Sequence, residues 1–296
     1  MLTRRGFARF SLVPFIGSVA VPWTGVAAAE GGFASLGEAL PKIEAESGGR
    51  LGVAVLDTGS GVSAGHRMDE RFPMCSTFKV LAAAAILARV DAGKEQLTRR
   101  VQVEQKDILS YAPISKQHVG QDMSVAELCE AAVTLSDNTA ANLLLASLGG
   151  PSAITDFARS LGDGVTRLDR IEPELNEATP GDMRDTTTPA AMAKNLKALT
   201  TGAALSPASR DQLIAWLVGC KTGDTKLRAG LPKGWRVGDK TGNGEHGSSN
   251  DVAVIWPEGR APVVVTSYLT ESPGPDEKRN AVHAAVGRAV AAVLAG

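Results

Sequence analysis

Ser76 and Lys79 stand three residues apart at the head of an almost wholly apolar run, "FPMCSTFKVLAAAAIL", over residues 72–87. On a helix, positions i and i+3 share a face, so the hydroxyl and the amine would meet. A serine hydroxyl becomes a nucleophile when a base lies within hydrogen-bonding reach, and a lysine serves only where its charge is suppressed. Bringing a lysine from ~10.4 to near 7 costs roughly 4–5 kcal/mol, part of which an apolar surrounding supplies. On this pair alone two readings stay open. Lys79 either snorkels its ammonium to a nearby surface or handles a proton for Ser76, and a Ser-x-x-Lys spacing arises about once by chance in a chain of this length.

Three further groups bear on the choice. Ser136-Asp137-Asn138 falls between two helical runs, where a second hydroxyl and an amide could face a ligand; its ordinary reading is a helix N-cap. Lys240-Thr241-Gly242 closes a strand-like run, setting a cation and a hydroxyl at a sheet edge beside a glycine that permits close backbone approach; the ordinary reading is a turn with a solvated lysine. Glu172-Pro173-Glu174-Leu175-Asn176 sits in a long charged segment, where solubility alone would account for it. Each ordinary reading stands singly. All four groups in this order arise by chance about once in a thousand chains or less, so they are read as one site.

The surrounding elements follow from periodicity. "RLGVAVLDTGSG" (50–61) reads as a strand opening a hairpin, and residues 76–90 as a helix buried on most sides. Residues 125–135 and 139–148 are two more helices, the second stopped by Gly149-Gly150-Pro151. Residues 167–185 are dense in charge and proline without a periodic face: a long loop, of the kind that usually carries function. "TPAAMAKNLKALT" and "PASRDQLIAWL" resume the helical pattern. Three strand-like runs follow, "GWRVGDKTG", "NDVAVIWP" and "APVVVTSYL", and a last helix spans about 277–294. Strand, many helices, strands, helix predicts a mixed α+β fold whose sheet is built from both chain ends, with a helical insertion between.

Composition narrows the partners. Of 296 residues 44% are hydrophobic, and 31 basic side chains face 32 acidic ones, so a net charge of −1 gives no electrostatic case for nucleic acid or an anionic membrane. The first 29 residues have the layout of an export signal: Arg4, Arg5 and Arg9 without an acid, an apolar stretch broken by Pro14, Gly17 and Pro22, then small residues with a cut expected after Ala29. Thr3-Arg4-Arg5-Gly6-Phe7 resembles the twin-arginine type. A periplasmic or secreted location follows, with no lasting membrane anchor. The four histidines, at 66, 118, 246 and 283, show no ligand spacing, and no metal or other cofactor is expected. Cys75, Cys129 and Cys220 allow at most one internal disulfide, and each reads by default as a buried free thiol.

Taken together, Ser76-x-x-Lys79, Ser136-Asp137-Asn138, Lys240-Thr241-Gly242 and the Glu172–Asn176 segment resemble the class A serine β-lactamases. "SDNTAANLLL", "RLDRIEPELNEATPGDMRDTT" and "GDKTGNGEHGS" extend the likeness well past the minimal motifs. The resemblance implies hydrolysis of the β-lactam amide through a serine acyl-enzyme, conferring resistance, by a monomer. Its implied fold is a five-stranded antiparallel sheet flanked by helices (30–74 with 219–296) plus an all-helical subdomain (75–218) carrying the loop at 167–185. Ser76 would be the nucleophile, with backbone N–H groups of Ser76 and Asn243 as the oxyanion hole. Lys79 would carry the first proton, directly or through Glu172, and Ser136 would relay one to the departing nitrogen. Glu172 and Asn176 would hold the hydrolytic water. Asn138, Lys240, Thr241, Gly242, Asn243, Tyr111 and Lys226 would bind substrate, Lys226 by assisting at its carboxylate. A cis Glu172–Pro173 bond and an Arg170–Asp185 pair closing the loop are also implied. Where relatives often bridge two cysteines, this chain has Ala83 opposite Cys129 and Gly244 opposite Cys75, so neither bridge is expected; Ser249 replaces a common arginine. Cell-wall peptidases and antibiotic sensors share part of the pattern, and Glu172 with Asn176 separates turnover from a trapped acyl-enzyme.

Overall fold

The computed structural model describes residue 1 and residues 24–295. The export segment at residues 2–23 lies outside the described residues, and the expected cut after Ala29 falls within the first helix, α1 (Thr24–Ser47). Strands β1 (Arg50–Asp57) and β2 (Ser63–His66) form the expected hairpin, followed by the short β3 (Phe72–Pro73). A 3-10 turn, Cys75–Thr77, runs straight into α2 (Phe78–Asp91). Ser76 thus lies in this tighter turn rather than in the α-helix itself, one turn before Lys79.

Short strands β4 (Arg100–Gln102) and β5 (Asp122–Ser124) pair with each other and lead into α3 (Val125–Thr134), α4 (Asn138–Leu148) and α5 (Ser152–Ser160). Beyond the loop come β6 (Thr186–Thr187), α6 (Pro189–Thr200) and α7 (Pro207–Val218). The chain ends in β7 (Arg236–Gly244), β8 (Ser248–Trp256), β9 (Val263–Thr270) and α8 (Asp276–Ala295). The fold class is α+β. Its main sheet is five-stranded and antiparallel in the order β2-β1-β9-β8-β7, so the first hairpin and the last three strands close one sheet.

Period-two alternation decides which residue faces which layer. In β8, Val252 and Val254 join the core shared with α2 to α7, while Ala253 and Ile255 join the second core under α1 and α8. In β9, Val264 and Tyr268 take the first side, and Val263, Val265 and Leu269 the second. Helix α2 runs through the first core with every residue from Phe78 to Leu87 buried, which is why its sequence lacks a polar face.

Two helices lie outside the expected set. Helix α5 buries only Ile154 and Ala158, and α1 contributes a narrow stripe of Phe33, Leu36 and Leu40 to the second core. Both are held by tertiary packing more than by propensity. The loop at 167–185 is irregular apart from one 3-10 turn, Glu174–Asn176. Lys240-Thr241-Gly242 does not close its strand, because β7 continues to Gly244 and the triad lies in its second half. No helix among the described residues is long and apolar enough to cross a membrane.

Candidate active site

The turn carrying Ser76 is held by its neighbours. Cys75 has a φ of +45°, in the left-handed region that side chains rarely adopt; such strain costs of order 1–3 kcal/mol and persists where the surroundings impose it. Asn250 imposes it from the sheet, its Nδ2 donating to Pro73 O at 2.9 Å and Met74 O at 3.0 Å. From the loop, Asp185 O accepts from Met74 N at 2.9 Å. Strand β7 lies so close that a Cβ on Gly242 would stand 2.9 Å from Met74 O and 3.1 Å from Ser76 N. Only glycine allows that approach.

Lys79 and Glu172 converge on the hydroxyl. Ser76 Oγ lies 2.9 Å from Lys79 Nζ and donates to Glu172 Oε1 at 3.0 Å. Lys79 and Glu172 form an ion pair of 2.9 Å with both side chains fully buried. Lys79 also donates to Ser136 O at 2.9 Å and Asn138 Oδ1 at 2.6 Å. Burial pulls its amine below the ordinary value, and Glu172 opposes that pull in part. The snorkelling reading of Lys79 therefore fails, because its Nζ points inward to a set of oxygens.

Ser136 has a φ of +58° and brings its Oγ between two amines, 3.4 Å from Lys79 Nζ and 2.9 Å from Lys240 Nζ. Asp137 braces the turn. It caps α4 by accepting from Ala140 N at 2.9 Å, and it holds Ile114 N and Ser115 N at 2.9 and 2.8 Å. The N-cap reading and the site reading thus both hold for one tripeptide: Asp137 caps while Ser136 and Asn138 face Lys79. Lys240 is fully buried, and burial together with nearby Lys79 brings its amine down to about 7.

Glu172 is aimed by two residues. Asn142 on α4 clasps its backbone, donating to Glu172 O at 2.8 Å and accepting from Glu172 N at 2.9 Å. Asn176 Nδ2 donates to Glu172 Oε2, while Asn176 Oδ1 is buried without a partner among the described residues. The Glu172–Pro173 bond is cis. Arg170 Nε meets Asp185 Oδ2 at 2.6 Å, and Asp185 Oδ1 accepts from the N–H groups of Asp169 and Arg170 at 2.8 and 2.9 Å, which closes the loop.

Ser76 opens onto a cleft with Tyr111, Ser136 and Asn138 on one flank and Thr241, Gly242 and Asn243 on the other; Asn176 and Thr222 complete its lining. Tyr111 is half exposed and borders it as expected. Two of the expected substrate binders do not line it. Lys240 is fully buried, its Nζ donating to Ser136 Oγ at 2.9 Å and Thr241 O at 2.7 Å, and Lys226 is 2% exposed, its Nζ turned to Asn243 Oδ1, Ser249 Oγ and Asn250 O. A linear neighbourhood cannot say which side of a strand a lysine reaches.

The likeness to known proteins is extensive. Residues 35–294 match the β-lactamase enzyme family. Beta-lactamase Toho-1 of Escherichia coli is 52% identical over 256 residues, 86% of this chain and 88% of that protein. The chain belongs to the class A β-lactamase family. Beta-lactamase L2 of Stenotrophomonas maltophilia is 48% identical over 97% of this chain and 98% of its own length. Among solved structures, an ancestral class A β-lactamase is 67% identical and superposes with a TM-score of 0.85, covering 86% of this chain and 98% of that one. In this class A β-lactamase, sequence reasoning overlooked Thr222, whose Oγ1 lies 2.6 Å from Thr241 Oγ1 in the cleft wall, and Asn142. Asn142 left one signal, a polar residue inside the otherwise apolar "TAANLLL" run; Thr222 left none.

Proposed function

We propose that the chain, a class A β-lactamase that hydrolyses the amide bond of β-lactam antibiotics and so confers resistance to them, works through an ester on Ser76. Ser76 Oγ attacks the lactam carbonyl carbon and gives its proton to the Lys79–Glu172 pair, both of which lie within reach. Backbone N–H groups of Ser76 and Asn243 hold the oxyanion, where one such donor is worth ~3–4 kcal/mol. As the carbon–nitrogen bond breaks, Ser136 hands a proton to the ring nitrogen and is resupplied from Lys79, with Lys240 on its other side. Lys240 and Thr241 receive the substrate carboxylate, Asn138 its side-chain amide, and Tyr111 and Gly242 border it. In the second half, a water donates its hydrogens to Glu172 and to Asn176 Oδ1, which leaves a lone pair for the ester carbonyl. Glu172 takes the proton as the oxygen attacks, the ester carbon–oxygen bond breaks, and Ser76 Oγ recovers its hydrogen.

One observation carries this reading: Ser76 Oγ meets both proton carriers, while the far side of Glu172 is held by an asparagine whose buried oxygen has no partner among the described residues. Purified protein is expected to turn over a chromogenic cephalosporin continuously, unaffected by chelator, and Ser76→Ala to abolish both turnover and the covalent adduct seen by intact mass. A single stoichiometric burst from the unaltered protein would overturn it. The mature chain acts as a monomer outside the cytoplasm, exported through the twin-arginine route on the strength of residues 3–7. Replacing Arg4 and Arg5 with lysine should hold it inside the cell.

A further inference from the structure

Away from the cleft, a cavity of about 110 Å³ opens between residues 178–186 of the loop and the paired ends of β1 and β9, where Arg50 faces Thr270. That is several times the room one water needs. Four arginines line it, Arg50, Arg71, Arg170 and Arg184, against two carboxylates, Asp182 and Glu271. Three of the four are neutralised. Arg170 is held by Asp185 and Glu177, Arg184 lies 2.6 Å from Asp182, and Arg50 lies 3.3 Å from Glu70 and 3.5 Å from Glu271. Arg71 is the odd one. Its guanidinium donates from Nη1 to Thr186 Oγ1 at 2.9 Å, and that hydroxyl gives its own hydrogen to Met183 O at 2.7 Å. A guanidinium carries five N–H donors, and the remaining ones of Arg71 have no partner among the described residues. Its setting makes the missing counter-charge matter. Burial, and then the like charges of Arg167 and Arg159, pull the half-buried group below its ordinary value, with Asp163 opposing.

We propose that this cavity binds a small tetrahedral oxyanion, of the class of phosphate or sulfate, on the guanidinium of Arg71, with Arg184 at the rim. The planar fork of an arginine matches two oxygens of such an ion at once, and the resulting bonds are charge-assisted. Asp182 and Glu271 share the wall and would repel a longer polyanion or a charged membrane, so the ligand is a single free ion. The site has a structural consequence. Thr186, which orients Arg71, pairs with Pro73 across β3 and β6, and the carbonyl of the preceding Asp185 holds Met74 N. An anion on Arg71 therefore braces the end of the loop against the strand that leads into Ser76, without entering the cleft.

Calorimetric titration of the purified protein with sodium phosphate, at an ionic strength held constant with sodium chloride, tests this. One saturable site with a Kd of about 1 mM is expected, the yield of two or three charge-assisted hydrogen bonds. Arg71→Gln keeps a donor for Thr186 but no charge. It should weaken binding by about tenfold or more, while kcat and KM for a penicillin in phosphate-free buffer stay unchanged. Absence of a saturable site, or binding of equal strength in Arg71→Gln, would overturn the proposal. So would competitive inhibition of cephalosporin turnover with the same constant as the titration, because the ion would then sit in the cleft. Hydrogen exchange on the unaltered protein gives a readout that does not need the variant to fold. Phosphate should slow exchange of the amides at 179–186 and leave those at 240–244 alone; protection confined to 240–244 would refute the site. The proposal is independent of the chemistry at Ser76, so its failure would leave the acyl-enzyme reading intact.

Discussion

Replacing Glu172 by glutamine changes one atom type at the centre of the site, and its consequences can be followed bond by bond. Three donors converge on the carboxylate: Ser76 Oγ and Lys79 Nζ on Oε1, and Asn176 Nδ2 on Oε2. A carboxylate accepts about four hydrogen bonds and an amide oxygen two. If the new oxygen faces Ser76 and Lys79, the new NH2 faces that of Asn176, which must then turn its own oxygen inward and give up the free acceptor meant for the water. The orphaned donor costs about 1–3 kcal/mol of stability. Loss of a general base costs ~10²–10⁴ in rate, or roughly 3–5 kcal/mol of barrier.

The two chemical steps separate at Lys79. Glu172 opposes the effect of burial on that amine. Without the carboxylate its neutral fraction rises, so acylation keeps a base while deacylation has none. Stopped-flow mixing of Glu172→Gln with a chromogenic cephalosporin should show release of about one equivalent of product and then a steady rate at least a hundredfold below that of the unaltered enzyme. Intact mass should show an adduct on Ser76. A steady rate within tenfold of the unaltered enzyme, with no adduct, would refute the reasoning.

The other expectations are briefer. Arg170→Ala strands the buried Asp185 and should cost about 3 kcal/mol in denaturant unfolding, whereas Arg184→Ala, at a half-exposed pair, should stay within ~0.5 kcal/mol; equal losses would discredit the assignment of loop closure to Arg170. If Lys240 receives the substrate carboxylate it must be protonated, and it loses its proton as pH rises through about 7, so kcat/KM for anionic substrates should fall on that alkaline limb, and Lys240→Arg should move the limb upward. Burial raises all three thiols, Cys75 to about 12; iodoacetamide at pH 8 should leave them unlabelled until urea is added, and rapid native labelling of Cys75 would contradict the burial.

Much of the site could be read from the chain because its parts are local. Ser76 and Lys79 meet through one helical turn, Ser136 and Asn138 flank a cap, and Asn176 ends a 3-10 turn that starts two residues after Glu172. The braces could not. Asn142 reaches Glu172 across 30 residues, and Asn250 reaches Pro73 across 177; no spacing rule connects them. Lys226, expected to assist at the substrate carboxylate, is buried with its Nζ on Asn243, Ser249 and Asn250, a direction set by acceptors 17 to 24 positions away. Helix α1 buries only the narrow stripe Phe33, Leu36 and Leu40, whereas α5 carries a legible helical period, with Ile154, Phe157 and Leu161 on the face that meets the first core.

By itself, the sequence determined which chemical groups exist and which of them share a turn, because helical and strand periods act over a few residues. It also carried the alternation that sorts β8 and β9 between two cores. The tertiary structure alone decided what those groups are. Lys79 and Lys240 become depressed amines only once both are buried near Ser136, Glu172 and each other. Desolvation and hydrogen-bond polarity are set by whatever fills the last few ångströms around a group, and here that neighbourhood is drawn from both ends of the chain.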